Sequence, residues 1–268
     1  MDYHESTDRV FSKDAFKQFE RFDYNMNSRI PVFFCIDVSG SMGESVGFLQ
    51  TRIQLLSKVM KNLLVNMKKN PVLSERATIG IVTYNNKAIL KQPALDIDEM
   101  DIEKAVNFTT SGQTSFSKGL RRTLQAIDQY RDGVRSSDVD TFIPLLVFMT
   151  DGIPVGDTRR DIISVYDEIH SRIDNNDLYV FPIGISRDAS MDYVKALSGD
   201  NTAYQMIKED DFTLVFSKIA TLVNKKGESY EELETITSMA SNKETTKDTG
   251  LGESFDPDEI LGKYLHRH

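Results

Sequence analysis

Serine, threonine and aspartate gather in three short stretches whose spacing could do chemistry. They are Asp37-Val38-Ser39-Gly40-Ser41, Ser111-Gly112-Gln113-Thr114-Ser115 and Thr150-Asp151-Gly152. In extended chain, alternation points Asp37, Ser39 and Ser41 to one side, and Gly40 allows a tight turn between them. Neither histidine nor cysteine stands within these stretches, so the donors are all hard oxygens. Such a set suits Mg²⁺ or Mn²⁺ rather than a soft metal. Ser39, Ser41 and Thr114 are expected to touch the ion through neutral oxygens. Asp37 and Asp151 are expected one step further out, holding waters and hydroxyls in place. A cation contacted mainly by neutral groups stays electrophilic, and a carboxylate from another protein could fill its open position.

The elements that must position these stretches read clearly. Pro31 to Asp37 (PVFFCID) is a continuous apolar run ending in an acid, as expected of a strand buried on both faces. Apolar residues at Leu49, Ile53, Leu56, Met60, Leu63 and Met67 predict a helix between Ser45 and Lys69, stopping before Pro71. Ala77 to Tyr84 reads as a strand, Asn85-Asn86 as a turn, and Ala88 to Lys91 as an antiparallel edge strand. A helix follows on Phe116, Leu120, Leu124 and Ile127, and Ile143 to Thr150 is the strongest buried strand. Next come a helix on Ile162, Tyr166, Ile169 and Ile173, a strand from Leu178 to Ile185, and a short helix from Ser190 to Leu197. A weak strand, Ala203 to Ile207, precedes a last helix carrying Phe212, Phe216, Ile219 and Val223.

Strands alternating with helices in this way predict an α/β fold: a doubly wound, mostly parallel, Rossmann-like sheet with one antiparallel edge strand. Ligands of such sheets sit beyond the carboxyl ends of the strands, where the winding reverses. All three oxygen-rich stretches fall at that end or lead into a helix beginning there.

The 268 residues divide into an N-terminal extension (1–28), a main domain (29–227) and an acidic tail (228–268). In the extension, Phe16, Phe19 and Phe22 follow a capping Ser12, which predicts a short helix. The tail is rich in Glu, Ser, Thr and Lys and reads as flexible until Asp256-Pro257-Asp258-Glu259, a good helix start ahead of Ile260, Leu261, Tyr264 and Leu265. An acid of that tail, such as Glu253 or Asp256, is a candidate occupant of the open position.

Composition narrows the function. The formal net charge is −9, with no basic run, which argues against nucleic acid and anionic membranes as partners. No stretch reaches the length of a membrane span, and the N-terminus lacks the charge and apolar core of a secretory signal. The single cysteine, Cys35, lies in an apolar run and reads as a buried small side chain. A cytoplasmic setting is therefore expected.

Asp37-Val38-Ser39-Gly40-Ser41-Met42 resembles the DxSxS motif of the metal-ion-dependent adhesion site (MIDAS) of von Willebrand factor A-type (vWA) domains. Thr114 matches that family's threonine, and Asp151-Gly152 matches its later acid. The resemblance covers roughly residues 29–225. More narrowly, RIPVFFCIDVSGSM and VFMTDGIPVGD are similar to bacterial vWA proteins associated with tellurium resistance and stress response (TerY-like). It implies a non-enzymatic adaptor whose metal captures an acidic residue of a partner protein, and which is sometimes encoded near kinases and phosphatases. Gln113 departs from the family, where glycine often precedes the threonine.

Other readings have less support. A haloacid-dehalogenase-like phosphatase would need an acid two residues after Asp37, where Ser39 stands. A serine hydrolase needs a histidine base, and His4, His170, His266 and His268 all lie away from predicted strand ends. SGSMGES lacks the lysine of a phosphate-binding loop, and no GxGxxG follows the first strand. A metal-dependent hydrolase and a vWA module with a vestigial metal site remain the alternatives.

Overall fold

The computed structural model describes residues 28–46, 50–137, 139–198, 203–207 and 211. The helices expected around Phe16–Phe22, on Phe212 to Val223 and at the end of the tail lie outside the described residues.

A six-stranded sheet forms the centre, in the spatial order β5-β4-β1-β6-β7-β8. Its strands are β1 (Ile30–Asp37), β4 (Ala77–Tyr84), β5 (Ala88–Asp96), β6 (Leu145–Thr150), β7 (Tyr179–Ile185) and β8 (Tyr204–Met206). β1 runs parallel to β4 on one side and to β6 on the other, and β7 and β8 continue in parallel beyond β6. Only β5 in this sheet is antiparallel. The fold class is therefore the one expected from the alternation of strands and helices. Every residue of β1, β4 and β6 is buried, which is why their sequences are near-continuous apolar runs. β5 instead alternates half-buried and exposed positions, as an edge strand with one wet face does.

Helices cover both faces. α1 (Arg52–Lys69) and α2 (Pro71–Arg76) pack with Val32, Phe34 and Ile36 of β1. On the opposite face, α4 (Phe116–Arg135), α5 (Arg159–Asp174) and α6 (Met191–Ala196) pack with Phe33 and Cys35. β1 thus feeds both cores from alternate side chains. Gly119 brings α4 close to β4: a Cβ there would lie 2.5 Å from the Tyr84 ring.

Several local expectations change. The helix predicted from Ser45 starts only at Arg52, because Thr51 and Gln54 form a reciprocal capping box that fixes the start. Ahead of it lies a small antiparallel hairpin, β2 (Ser45–Val46) with β3 (Gln50–Thr51). Pro71, read only as a stop, is also the first residue of α2, with Asn70 accepting from the Val72 and Leu73 N–H groups. β5 continues past Lys91 to Asp96, through Pro93; among the described residues it is an edge strand, where proline is tolerated. A one-turn helix, α3 (Ile102–Ala105), was not expected.

After β1 the chain passes to β4 on one side, and after β5 it passes to β6 on the other. The winding reverses at β1, so the carboxyl ends of β1 and β6 flank the crevice where such folds hold ligands. Asp37 ends one strand and Asp151 follows the other.

Candidate functional site

Asp37 is fully buried, and donors hold both its oxygens. The Ser39 backbone N–H donates to Oδ1 at 2.8 Å and the Thr150 hydroxyl donates to Oδ2 at 2.8 Å. Burial pushes the carboxyl up to about 7, against the lowering effect of the Ser39 hydrogen bonds. Thr150 Oγ also accepts from the Gly152 N–H at 3.2 Å, so one hydroxyl ties the ends of β1 and β6 together.

Ser39 immediately precedes the 3₁₀ turn Gly40–Gly43 and Ser41 lies within it, and their hydroxyl oxygens lie 3.1 Å apart. Ser41 Oγ donates to Asp151 Oδ1 at 2.7 Å. A serine has a single hydroxyl proton, so in the serine pair Ser39 donates and Ser41 accepts. Thr114 is buried, and its carbonyl accepts from the Gly156 N–H at 2.9 Å. A Cβ on Gly152 would stand 3.7 Å from Thr114 Oγ1 and 4.0 Å from Ser41 Oγ, so the two hydroxyls converge on that glycine. All five residues selected from the sequence, Asp37, Ser39, Ser41, Thr114 and Asp151, are thus brought to one place.

The loops that carry them are bonded to one another. Gly40 N–H donates to Gly112 O at 3.0 Å, and Ser111 N–H to Val38 O at 2.9 Å. Gly112 has φ +75°, a backbone conformation that favours glycine, and a Cβ there would also press on the Asn86 side-chain amide.

Sequence reasoning missed two participants. Asp157 accepts from Ser115 Oγ at 2.6 Å and, through its other oxygen, from the Ser117 N–H at 3.2 Å. Ser115 occupies the N-cap position of α4 but makes no side-chain capping bond; Asp157, which accepts from the Ser117 N–H, caps the helix in its place. The second is Arg52, buried at the start of α1. Its Nη1 donates to Asp151 Oδ2 at 2.8 Å, and Nη2 pairs with Glu44 Oε2 at 3.0 Å and with Asp188. Burial raises the Asp151 carboxyl above its ordinary range, and the Arg52 and Ser41 hydrogen bonds pull against that rise. In sequence Arg52 is an ordinary helix residue; only the fold brings the three acids to it.

The donor set suits a hard cation. Among the described residues no cluster of three or more His, Cys, Asp or Glu could hold a metal, so hydroxyls would carry most of the coordination. Neighbouring ligands of an octahedral ion at about 2.1 Å stand about 3.0 Å apart. The Ser39–Ser41 separation of 3.1 Å matches one such edge.

The family model of the von Willebrand factor type A domain matches residues 32–222. The chain belongs to that family. Domains of the vWA family generally serve as adhesion or interaction modules. Three solved structures illustrate the likeness. A von Willebrand factor type A protein from Catenulispora acidiphila has 17% identity and a TM-score of 0.56, over 74% of this chain and 43% of that one. The pilus adhesin SpaC from Lactobacillus rhamnosus GG has 14% identity and a TM-score of 0.56, over 73% and 30%. Proximal thread matrix protein 1 from the mussel byssus, with a zinc-occupied MIDAS motif, has 17% identity and a TM-score of 0.50, over 74% and 46%. This vWA chain therefore spans less than half the length of those relatives. No curated protein matches it. Among the described residues, no helix is long and apolar enough to cross a membrane.

Proposed function

We propose that this vWA domain is a non-enzymatic adaptor that holds one divalent cation, Mg²⁺ or Mn²⁺, and through it captures an acidic side chain of a partner protein. The Ser39–Ser41 hydroxyl pair, with the Ser41 and Thr114 hydroxyls both close to Gly152, carries this reading, and both nearby acids are already committed to orienting bonds. When bound, the cation supplies an electrophilic position that a carboxylate can fill. Ser39, Ser41 and Thr114 contribute neutral oxygens. Asp37 fixes the turn that presents the serines, and Asp151 orients the Ser41 hydroxyl from the far side.

The rim supports a protein partner. Ile153 and Val155, in the loop directly after Asp151-Gly152, are 43% and 51% exposed. Lys118, Arg159 and Arg160 are exposed near the starts of α4 and α5, where the same two loops enter those helices. In a chain of net charge −9, this local combination of apolar and cationic side chains favours an acidic segment with apolar neighbours.

The closer kinship is with TerY-like proteins of tellurium resistance and stress response, resting on RIPVFFCIDVSGSM and VFMTDGIPVGD. The partner then belongs to the kinase or phosphatase machinery of such a system, in the cytoplasm. The functional unit is residues 29–227, with 1–28 and 228–268 as extensions.

Affinity capture with the intact protein tests this reading. A partner retained in Mg²⁺ or Mn²⁺ should be released by chelator and lost with Ser39→Ala/Ser41→Ala, while the circular dichroism spectrum stays unchanged. The same partners recovered in chelator would refute it.

A further inference from the structure

Arg52 stands out among the buried groups. It is a guanidinium with only 8% of its side chain exposed, set against one of the acids of the candidate metal site. Its partners come from three separate loops: Glu44 after the first serine turn, Asp151 after β6, and Asp188 after β7. Each Nη takes a different task, since Nη1 faces Asp151 alone while Nη2 is shared by Glu44 and Asp188.

We infer that Arg52 is a built-in counter-cation: it neutralises Asp151 from the side away from Ser41, and so weakens divalent binding while keeping the bound ion electrophilic. This rests on the metal-dependent reading above. The reasoning is electrostatic. A divalent ion among Ser39, Ser41 and Thr114 would gain most from an unpaired Asp151 carboxylate beside it. Here that charge is already answered by a fixed guanidinium at 2.8 Å. Arg52 is itself buried, so its repulsion of a cation at this site would be screened less than that of a surface charge. The arginine also has reason to stay when an ion arrives, because Glu44 and Asp188 hold its second nitrogen independently of Asp151. A strong cation site would have left Asp151 free. A site meant to hand most of its ion's charge to an incoming carboxylate gains from having Asp151 muted.

The test is divalent affinity, followed by Mn²⁺ electron paramagnetic resonance and by Mg²⁺ calorimetry on the full chain. The variants are Arg52→Met, Arg52→Gln (which keeps a donor for Asp151 but no charge) and Arg52→Lys. Met and Gln should tighten binding by about ten-fold or more, and Lys should stay near wild type. Adding Asp151→Asn to Arg52→Gln should abolish the gain. Unchanged or weaker binding in both neutral variants overturns the inference; native near-ultraviolet dichroism of Arg52→Gln excludes unfolding as the cause. If the wild type binds no divalent ion and the neutral variants do, the weakening by Arg52 stands, while the metal-dependent reading and with it the electrophilic bound ion fall. If none binds, both fall.

Discussion

Asp37 is held by two good hydrogen bonds and still titrates near neutrality, because removing a carboxylate from water outweighs what two donors return. The consequence has a definite sign. An unfolded aspartate ionises near 3.8, whereas the folded one keeps its proton until about 7. Between those values the folded state binds more protons, so the Asp37 contribution to stability is full below about 4 and is lost as pH rises through 7. Carboxylates such as Asp128, held low by Arg172, contribute with the opposite sign. Comparing the metal-free wild type with Asp37→Asn isolates the effect. The wild type should lose melting temperature relative to the variant as pH rises from 4 to 8, and parallel curves would contradict the assignment. At this scale the sequence was informative where spacing was local: Asp37, Ser39 and Ser41 lie within five residues and their turn is built from them. Arg52 and Asp157 were illegible because their partners, Asp151 and Ser115, stand 99 and 42 positions away.

Among the elements, α4 decides where Thr114 sits, since that residue immediately precedes the N-cap. Two contacts fix the start of α4: the Gly156 N–H on the Thr114 carbonyl, and the Asp157 carboxylate on Ser115 and Ser117. Both come from the loop after β6, so the second and third oxygen-rich stretches are tied to one another. Replacing Asp157 with Ala strips the acceptor from the buried Ser115 and Ser117 hydroxyls, at a cost of about 1–3 kcal/mol. Melting temperature should fall by roughly 2–10 °C, given the usual dependence for domains of this size. Divalent affinity should fall too, whereas Asp157→Asn should recover much of both; an alanine variant with wild-type stability would show that water replaces the carboxylate at no cost. The larger elements were readable because β1, β4 and β6 are buried on both faces and α1, α4 and α5 on one. The two-residue strands β2 and β3, and the single turn of α3, were not. Segments so short have no period to detect, and their form is set by what they pack against.

For the molecule as a whole, the candidate site matters because its residues belong to distant parts of one fold. Ser39 and Ser41 follow β1, Thr114 precedes α4, and Asp151 follows β6. β1 contributes alternate side chains to the cores on both faces of the sheet. An ion gripped by all three stretches has no comparable site in the unfolded chain, so its binding free energy adds to the stability of the entire domain. With free Mg²⁺ at a hundred times its dissociation constant, the gain is about 2.7 kcal/mol. For a domain of this size that raises the melting temperature by roughly 5–10 °C. The rise should grow with the logarithm of ion concentration, vanish in chelator, and be absent from Ser39→Ala/Ser41→Ala at every concentration. Monovalent salt at equal ionic strength separates specific binding from screening of the net charge of −9. A shift of equal size with sodium, or one that survives in the double variant, would place the stabilisation on the acidic surface rather than at the end of β1.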